Sequence, residues 1–403
     1  MNLKALEAGG PYQLQIIGKE NQISIKDILI GDVWLCSGQS NMQWVVNNVT
    51  NAEVEKKNAN YPQIRTLNIP RRMELSPKDT ISATWLVCSP ENVGRFSGVA
   101  YFFAKKVYEE TNIPIGIINS SWGGTIVETW TSLEAANTLP QKRLDRYNKN
   151  EKLFPPTEYL TRKNKEAKRN DYPSLVYNAM IHPLLSFSIK GVLWYQGENN
   201  VGNAEPYTDW LTCMIGDWRN RWNSELPFYI IQLPNFDSIN KKPLWAEMRD
   251  AQSKVLAVPG THLIVTSDLG DPYDLHPRNK QEVGMRAALQ ALHYEYGYSD
   301  IVSESPMFER MEINGDKVII TFKNTGSSLE IRSRYGCLQG FAIAGEDKKF
   351  HWALGELKDN RIVIWSPKVP NPVAVRYNWE NNPDGNLYNK DGLPACLFRT
   401  DNW

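Results

Sequence analysis

Short apolar runs, many of them ending in a polar turn that contains glycine, recur between about residues 31 and 302. Runs of this kind indicate buried strands, and segments with helical spacing lie between some of them. Strands that alternate with helices are typical of a parallel α/β sheet. The predicted strands are 32–36, 113–118, 189–195, 228–233 and 262–267, and the predicted helices are 97–110 and 281–296. A polar stretch at about 140–172 predicts a surface excursion.

The two ends of the chain show a different pattern. Residues 11–30 predict short strands joined by turns. After residue 303, short and evenly spaced strands are separated by Gly, Asn, Asp and Pro, which indicates an antiparallel β module. These strands are predicted at 317–322, 329–332, 341–344, 350–353, 361–365 and 373–377. The sequence therefore predicts an N-terminal β segment (1–30), an α/β domain (31–302) and a C-terminal β-rich module (303–403).

Composition and charge argue against several classes of partner and motif. The 403 residues carry 45 Lys and Arg against 45 Asp and Glu, so the formal net charge is zero. This balance provides no electrostatic reason to expect a nucleic acid or an anionic membrane as partner. The five cysteines are scattered and form no CxxC pair, so neither a zinc motif nor a thioredoxin motif is present. The N-terminal residues have no signal-peptide pattern, and no apolar run is long enough to span a bilayer.

Four strand-end turns carry residue types that suit acyl transfer. In the first, Ser40 follows a tight turn at Gly38, from which a serine can present its hydroxyl and its own N–H. In the second, Gly123 and Gly124 allow the backbone to approach a substrate closely. The other two are QGENN at 196–200 and DPYDLHP at 271–277. Each turn alone is most often structural, but the four together indicate an esterase site.

The candidate base is His276. It lies in a polar loop bounded by proline, with Asp271 and Asp274 close by in sequence. Catalytic bases are usually carried on such loops, and the chain order Ser, Asp, His is one of the known orders of a catalytic triad. The remaining histidines lie beside or within apolar patterns and are predicted to be structural: His182, His262, His293 and His351.

Four segments resemble the motif blocks of the sialate O-acetylesterase family, which belongs to the SGNH hydrolases. They are IGDVWLCSGQSNM (30–42), NSSWGGTIVETW (119–130), the stretch from YNAM to QGENN (177–200) and DLGDPYDLHPRNKQEVGMR (268–286). Residues 8–16 and 375–401 are also similar to its members. The resemblance implies a flavodoxin-like three-layer α/β/α hydrolase domain without a metal or other cofactor. It further implies cleavage of acetyl esters on sialic acid or related glycans, a periplasmic or secreted location, and a first segment that is the remnant of a longer β-rich region.

Roles for individual residues follow from the same resemblance. It makes Ser40 the nucleophile, His276 the base and the N–H of Gly124, or of Gly123, an oxyanion donor. The QGENN amides supply the third donor, with Gln196 and Asn199 as equal candidates. The superfamily usually has Asp three residues before the histidine, but Tyr273 occupies that position here. Asp274 is the first choice for the acid and Asp271 the second, and a Ser–His dyad is the remaining alternative.

Residues near these turns are candidates for contact with the sugar: Trp44, Trp122, Tyr195, Glu198, Asn200 and Arg249. The aromatic rings have two interpretations, stacking on a pyranose or packing in the core. Arg249 also has two, a grip on a carboxylate such as that of sialic acid or a place on a solvated helix face.

Three other functions are compatible with parts of the sequence. An acetylxylan or other plant-glycan esterase would use the same chemistry with a different pocket. A glycosidase would pair Glu198 with an aspartate. A non-catalytic carbohydrate-binding protein would use the β module and the aromatic residues, but it would have no need of a serine and a histidine at separate strand ends.

Overall fold

The computed structural model describes residues 6–143, 156–161, 172–237 and 242–403. The predicted surface excursion at about 140–172 lies largely outside the described residues. The chain begins with an antiparallel hairpin of β1 (Gly9–Ile17) and β2 (Gln22–Ile30). No helix among the described residues is long and apolar enough to cross a membrane.

A seven-stranded sheet forms the centre of the molecule. Its strands, in chain order, are β3 (Asp32–Gly38), β4 (Tyr61–Asn68), β5 (Trp85–Cys88), β6 (Ile115–Ser121), β7 (Gly191–Tyr195), β8 (Phe228–Ile231) and β9 (Thr261–Ile264). Their order in the sheet is β5-β4-β6-β3-β7-β8-β9, and only the β4–β5 pairing is antiparallel. The strand order reverses at β3, and sheets of this kind bind ligands at the carboxyl ends of strands beside such a reversal.

Helices cover both faces of this sheet. They are α1 (Ser40–Gln43), α2 (Ala52–Asn58), α3 (Gly98–Thr111), α4 (Leu133–Ala136), α5 (Pro156–Thr161), α6 (Ala204–Trp222), α7 (Leu244–Lys254) and α8 (Lys280–Glu295). Successive residues of β3 point to opposite faces, as the pleat requires. Trp34 packs in one core with residues of α3 and α8, whereas Leu35 packs in the other with residues of α6 and α7.

The carboxyl-terminal part is built from antiparallel strands around a third core. They are β10 (Met307–Asn314), β11 (Lys317–Lys323), β12 (Leu329–Ile331), β13 (Phe341–Ala344), β14 (Phe350–Trp352), β15 (Leu354–Lys358), β16 (Arg361–Trp365), β17 (Ala374–Tyr377), β18 (Leu387–Asn389) and β19 (Phe398–Arg399). They form two four-stranded sheets and one pair. Three of its buried side chains, Trp379, Cys396 and Leu397, belong to the core beneath α6 and α7.

The predicted fold class is confirmed: a mostly parallel sheet between helices, a leading hairpin and antiparallel sheets at the end. The predicted helices at 97–110 and 281–296 each match an observed helix within a residue. The helical surroundings expected for Arg249 are those of α7, whereas α6 and the strands β4 and β5 at one edge of the sheet were not predicted from the sequence. The domain boundaries at 30 and 302 stay predictions.

Candidate active site

Ser40 lies at the reversal point of the sheet, directly beyond the end of β3. The preceding turn depends on Gly38, whose φ is +131° and where an added Cβ would lie 2.2 Å from the Tyr195 carbonyl oxygen. The N–H of Gln39 donates to that same carbonyl at 2.9 Å. Because Ser40 is the first residue of α1, its N–H has no acceptor within the helix.

The structure brings Ser40 and His276 together although they are 236 positions apart in the chain. His276 Nε2 lies 2.8 Å from Ser40 Oγ, which is hydrogen-bonding distance. His276 belongs to the loop between β9 and α8, and both side chains are partly exposed at the carboxyl ends of the strands. In this arrangement the imidazole can accept the proton of the serine hydroxyl.

The contact between His276 and its candidate acid is longer than the contact between His276 and Ser40. Asp274 Oδ1 accepts the backbone N–H of His276 at 2.8 Å and lies 4.0 Å from the ring nitrogen Nδ1. Asp271 Oδ1 instead accepts the N–H of Tyr273 at 2.8 Å, and Tyr273 is 91% exposed. Of the two candidates, Asp274 is therefore the carboxylate that faces the imidazole.

The indole ring of Trp44 packs against one face of the His276 imidazole. Its ring stacks on His276 with the centroids 4.9 Å apart and the planes 11° from parallel. The indole N–H donates to the carbonyl of Asn48 at 3.1 Å, which fixes the ring. One face of Trp44 therefore covers the base, so this ring positions His276 as well as lying next to the site.

The electrostatic surroundings favour a neutral imidazole. Burial and the Lys280 ammonium lower the pKa of His276 below its usual 6.5, and Asp274 opposes this effect. A histidine with a lowered pKa is unprotonated at neutral pH and so can act as a base.

Gly123 lies next to Ser40, and Gly124 is hydrogen-bonded to the side-chain amide of Asn199. A Cβ on Gly123 would be 3.2 Å from the Ser40 Cβ, and the Gly123 N–H donates to Gln43 Oε1 at 2.8 Å. Gly124 follows with φ of +74°, and its carbonyl accepts the exposed amide of Asn199 at 3.0 Å. The second and third turns therefore face the nucleophile.

Comparison with known families decides where this chain belongs. A family model described as carbohydrate esterase, sialic acid-specific acetylesterase, matches residues 30–293, which include all four turns. The chain belongs to this family. The predicted kinship with sialate O-acetylesterases is confirmed, and so is the prediction of a carboxylic-ester hydrolase family.

Relatives of this acetylesterase family member include proteins of mammals. The human sialate O-acetylesterase is 32% identical over 356 residues, which are 79% of this chain and 64% of that protein. The chain thus spans slightly less than two thirds of the human relative. The mouse sialate O-acetylesterase is 31% identical over 431 residues, with coverage of 94% of this chain and 79% of that protein.

A solved structure matches the fold over the whole chain. The crystal structure of a novel carbohydrate acetylesterase from Xanthomonas citri superposes with a TM-score of 0.89 at 39% sequence identity. The match covers 100% of this acetylesterase family member and 88% of that chain. The likeness therefore includes the hairpin at the start and the β sheets at the end.

Several candidate sugar-binding residues of this acetylesterase family member are in fact buried. Trp122 and Tyr195 lie within the two cores, which favours the packing interpretation over stacking on a sugar. The amide of Asn200 donates to Glu128 at 3.0 Å, and its oxygen accepts the N–H of Val127 at 3.1 Å. Asn200 thus connects the second and third turns beneath the site, and contact of Trp122 or Asn200 with substrate stays a prediction.

Gln196, the other candidate for the third oxyanion donor, is also buried. Its side chain is fully buried, and its amide nitrogen donates to the Thr125 carbonyl at 3.0 Å and to Asn200 Oδ1 at 2.7 Å. Its oxygen accepts the hydroxyl of Tyr207 at 3.0 Å. An amide held in this way cannot turn toward the nucleophile, so Asn199 is the better candidate for the third oxyanion donor.

Arg249 occupies neither of its predicted places. It is fully buried, and its guanidinium donates to the main-chain carbonyls of Pro234, Glu380 and Asn381. Burial lowers the pKa of Arg249 to about 9. The arginine thus joins α7 to the C-terminal module, and neither a substrate carboxylate nor solvent reaches it.

Glu198 is buried as well, and its partner is Asn41, the residue after the nucleophile. Asn41 Nδ2 donates to Glu198 Oε1 at 2.6 Å, and Asn41 Oδ1 accepts from Lys280 Nζ at 2.5 Å. Burial raises the pKa of Glu198. Glu198 therefore lies beneath the proposed site with Asn41 as its partner, and its contact with substrate stays a prediction. Sequence reasoning also missed Asn41 and Lys280.

The arrangement of His, Cys, Asp and Glu side chains bears on whether a metal ion could bind. Across the part of the chain that the structure describes, no group of three or more His, Cys, Asp or Glu is placed to hold a metal ion. All five cysteines are free thiols.

Proposed function

We propose that this protein is a carbohydrate O-acetylesterase that cleaves acetyl esters on sialic acid or related glycans, with Ser40 as nucleophile and His276 as base. The observation that supports it most is the 2.8 Å contact between Ser40 Oγ and His276 Nε2 at the carboxyl ends of the strands. The position of Gly123 beside Ser40, in the same turn as Gly124, provides a second support, since acyl transfer needs N–H donors for an oxyanion there.

In the first half of the reaction, Ser40 Oγ attacks the carbonyl carbon of the acetyl group while His276 Nε2 takes the hydroxyl proton. The negative charge that develops on the carbonyl oxygen faces the N–H groups of Ser40 and Gly124 and the amide of Asn199. When the C–O bond to the sugar breaks, the imidazolium returns its proton to the sugar oxygen. The products are the free sugar hydroxyl and an acetyl ester on Ser40.

In the second half, a water molecule takes the place of the sugar. His276 removes a proton from the water, the resulting oxygen attacks the acetyl carbon, and the bond to Ser40 Oγ breaks with return of the proton to Oγ. Acetate leaves and the free serine is restored. Trp44 and Asp274 hold the imidazole through both steps, one against its face and the other through the loop and its negative charge.

A neutral acetylated plant glycan, such as acetylated xylan, is the second candidate substrate. The position of Arg249 favours it, because the cation proposed to bind a sialic acid carboxylate is buried against main-chain carbonyls. The chemistry at Ser40 is the same for both substrates, so the choice between them depends only on the sugar pocket.

The proposed function is tested by the bond that is cleaved. The protein is expected to hydrolyse 4-nitrophenyl acetate but not 4-nitrophenyl glycosides, and to lose activity as an organophosphonate labels Ser40. Acetate release from acetylated sialic acids and from acetylated xylan then separates the two candidate substrates. Cleavage of the glycosides, or labelling at another residue with full activity kept, would contradict the proposal.

Asn199→Ala is expected to lower kcat by about 10²–10³-fold, because the variant lacks one oxyanion donor in a preorganised site. Steady-state kinetics on 4-nitrophenyl acetate measure the effect. Asn203→Ala is the matched control, since Asn203 is the N-cap of α6 but its side chain makes no cap hydrogen bond. Equal activity of the two variants would remove Asn199 from the mechanism.

A further inference from the structure

A buried charged group lies directly beneath the proposed catalytic pair. Asn41 and Lys280 are fully buried and Glu198 is 9% exposed. Lys280 is the first residue of α8, where the helix dipole disfavours a positive charge, and burial of an ammonium costs further free energy. Lys280 therefore occupies this position although both the helix dipole and burial disfavour its positive charge.

Asn41 connects three parts of the site. It follows Ser40 in α1, and its Nδ2 donates both to Glu198 in the QGENN turn and to the carbonyl of Leu275 at 3.1 Å. Leu275 is the residue before His276. One amide group thus joins the turn that carries the nucleophile to the loop that carries the base.

Lys280 and Glu198, on either side of Asn41, determine the orientation of its side-chain amide. When protonated, Lys280 Nζ can only donate, and it donates to the oxygen of Asn41 at 2.5 Å. The amide nitrogen of Asn41 can only donate, and Glu198 Oε1 accepts from it at 2.6 Å. With its orientation fixed from both sides, the Asn41 amide presents a hydrogen to Leu275 and not an oxygen.

We propose that Lys280, Asn41 and Glu198 form a buried positioning unit that holds the Ser40 turn and the His276 loop at the separation needed for proton transfer. The inference rests on the proposed function, since it assigns a role to residues beneath that site. None of the three touches the reacting atoms, so they are positioning residues. The positive charge of Lys280 also acts on His276 through space.

The pH dependence of kcat/KM tests whether the charge of Lys280 acts on His276. The charged and titratable groups around Lys280 are Glu198, Asp274, His276 and Tyr195, whose ring centroid lies 5.5 Å from Nζ. Burial lowers the pKa of Lys280 to about 7, while Glu198 and Asp274 oppose the shift. Because His276 works only when neutral, kcat/KM rises with pH through its pKa. That acid limb is expected below pH 6.5, since burial and Lys280 lower the pKa.

Lys280→Met keeps an unbranched side chain, one heavy atom shorter than lysine, and removes its charge. The pKa of His276 is then expected to rise, so the acid limb of kcat/KM moves to higher pH. The kcat on the plateau is expected to fall by about 10–100-fold, because small errors in the position of reacting groups are costly. A merely structural role would lower the plateau without moving the limb. Lys254→Met, at an exposed lysine of α7 paired with Asp250, is the control and should change neither.

An acid limb that stays at the wild-type pH in Lys280→Met would overturn the proposal, whatever the plateau. If that variant does not fold, Asn41→Ala provides the test. It is expected to lower kcat at least tenfold and to leave KM within about threefold, since substrate contacts stay in place. An unchanged kcat would overturn the proposal. If the organophosphonate fails to label Ser40, the proposed function itself fails, so the two failures are distinguishable.

Discussion

Ser40→Ala is expected to lower kcat on 4-nitrophenyl acetate by about 10⁶-fold, close to the limit of detection. The loss is this large because the acyl-enzyme cannot form without the serine hydroxyl. His276 and the oxyanion donors then have no nucleophile to assist. Steady-state kinetics measure the effect, and residual activity that the organophosphonate does not change, with Ser40 absent, would show that a contaminating esterase is excluded.

The fold should survive this change. Ser40 is partly exposed, and its hydroxyl lies against His276 in the open site rather than in a core. Thermal unfolding of Ser40→Ala should therefore match that of the wild type within a few degrees. Near-normal turnover in a folded variant would remove Ser40 from the mechanism.

Asp274→Asn is expected to lower kcat by about 10⁴-fold, as loss of the orienting carboxylate does in triad enzymes. An asparagine keeps an oxygen that can accept the His276 N–H, so the loop bond at 2.8 Å can persist while the charge is lost. The measurement is kcat/KM as a function of pH, compared with the wild type.

Asp271→Asn is the matched control in the same loop. Asp271 accepts the N–H of Tyr273, and an asparagine oxygen can do the same, so only a small loss is expected. A larger loss in Asp271→Asn than in Asp274→Asn would make Asp271 the acid. Small losses in both variants would indicate a Ser–His dyad without a carboxylate.

The pairing of Ser40 with His276 could be predicted because residue type and strand-end position point the same way. A serine after a glycine turn and a histidine in a polar loop both follow strands of a parallel sheet, whose carboxyl ends share one edge. The register of β3 with β6 and β7 places Gly38 level with Ser121 and Tyr195, so the turns after them meet.

The burial of Arg249 and Lys280 was not predicted, although their spacing carried the signal. Arg249 is four residues after Trp245 and three before Gln252, on the buried stripe of α7. Lys280 is three residues before Val283 and starts the buried stripe of α8 in the same way. A charged residue on an apolar stripe is normally assigned to the surface, and only the tertiary structure shows which partners offset its burial.

Helix α6 was missed for a different reason. Its buried residues recur at helical spacing: Tyr207, Trp210, Leu211, Met214, Ile215 and Trp218. Two of these are tryptophans and one is a tyrosine, which suit strands as well as helices. The period of the pattern, and not the residue types, identifies this segment as a helix.

The binding of Arg249 by three main-chain carbonyls has a consequence for protein engineering. Two of its three acceptors, Glu380 and Asn381, come from the C-terminal strands and their loops, while the arginine itself belongs to α7. Exchanging those strands for a foreign module would leave the buried guanidinium with the Pro234 carbonyl as its one remaining acceptor of the three. Chimaeras that divide the chain near residue 302 must therefore redesign this position together with the junction.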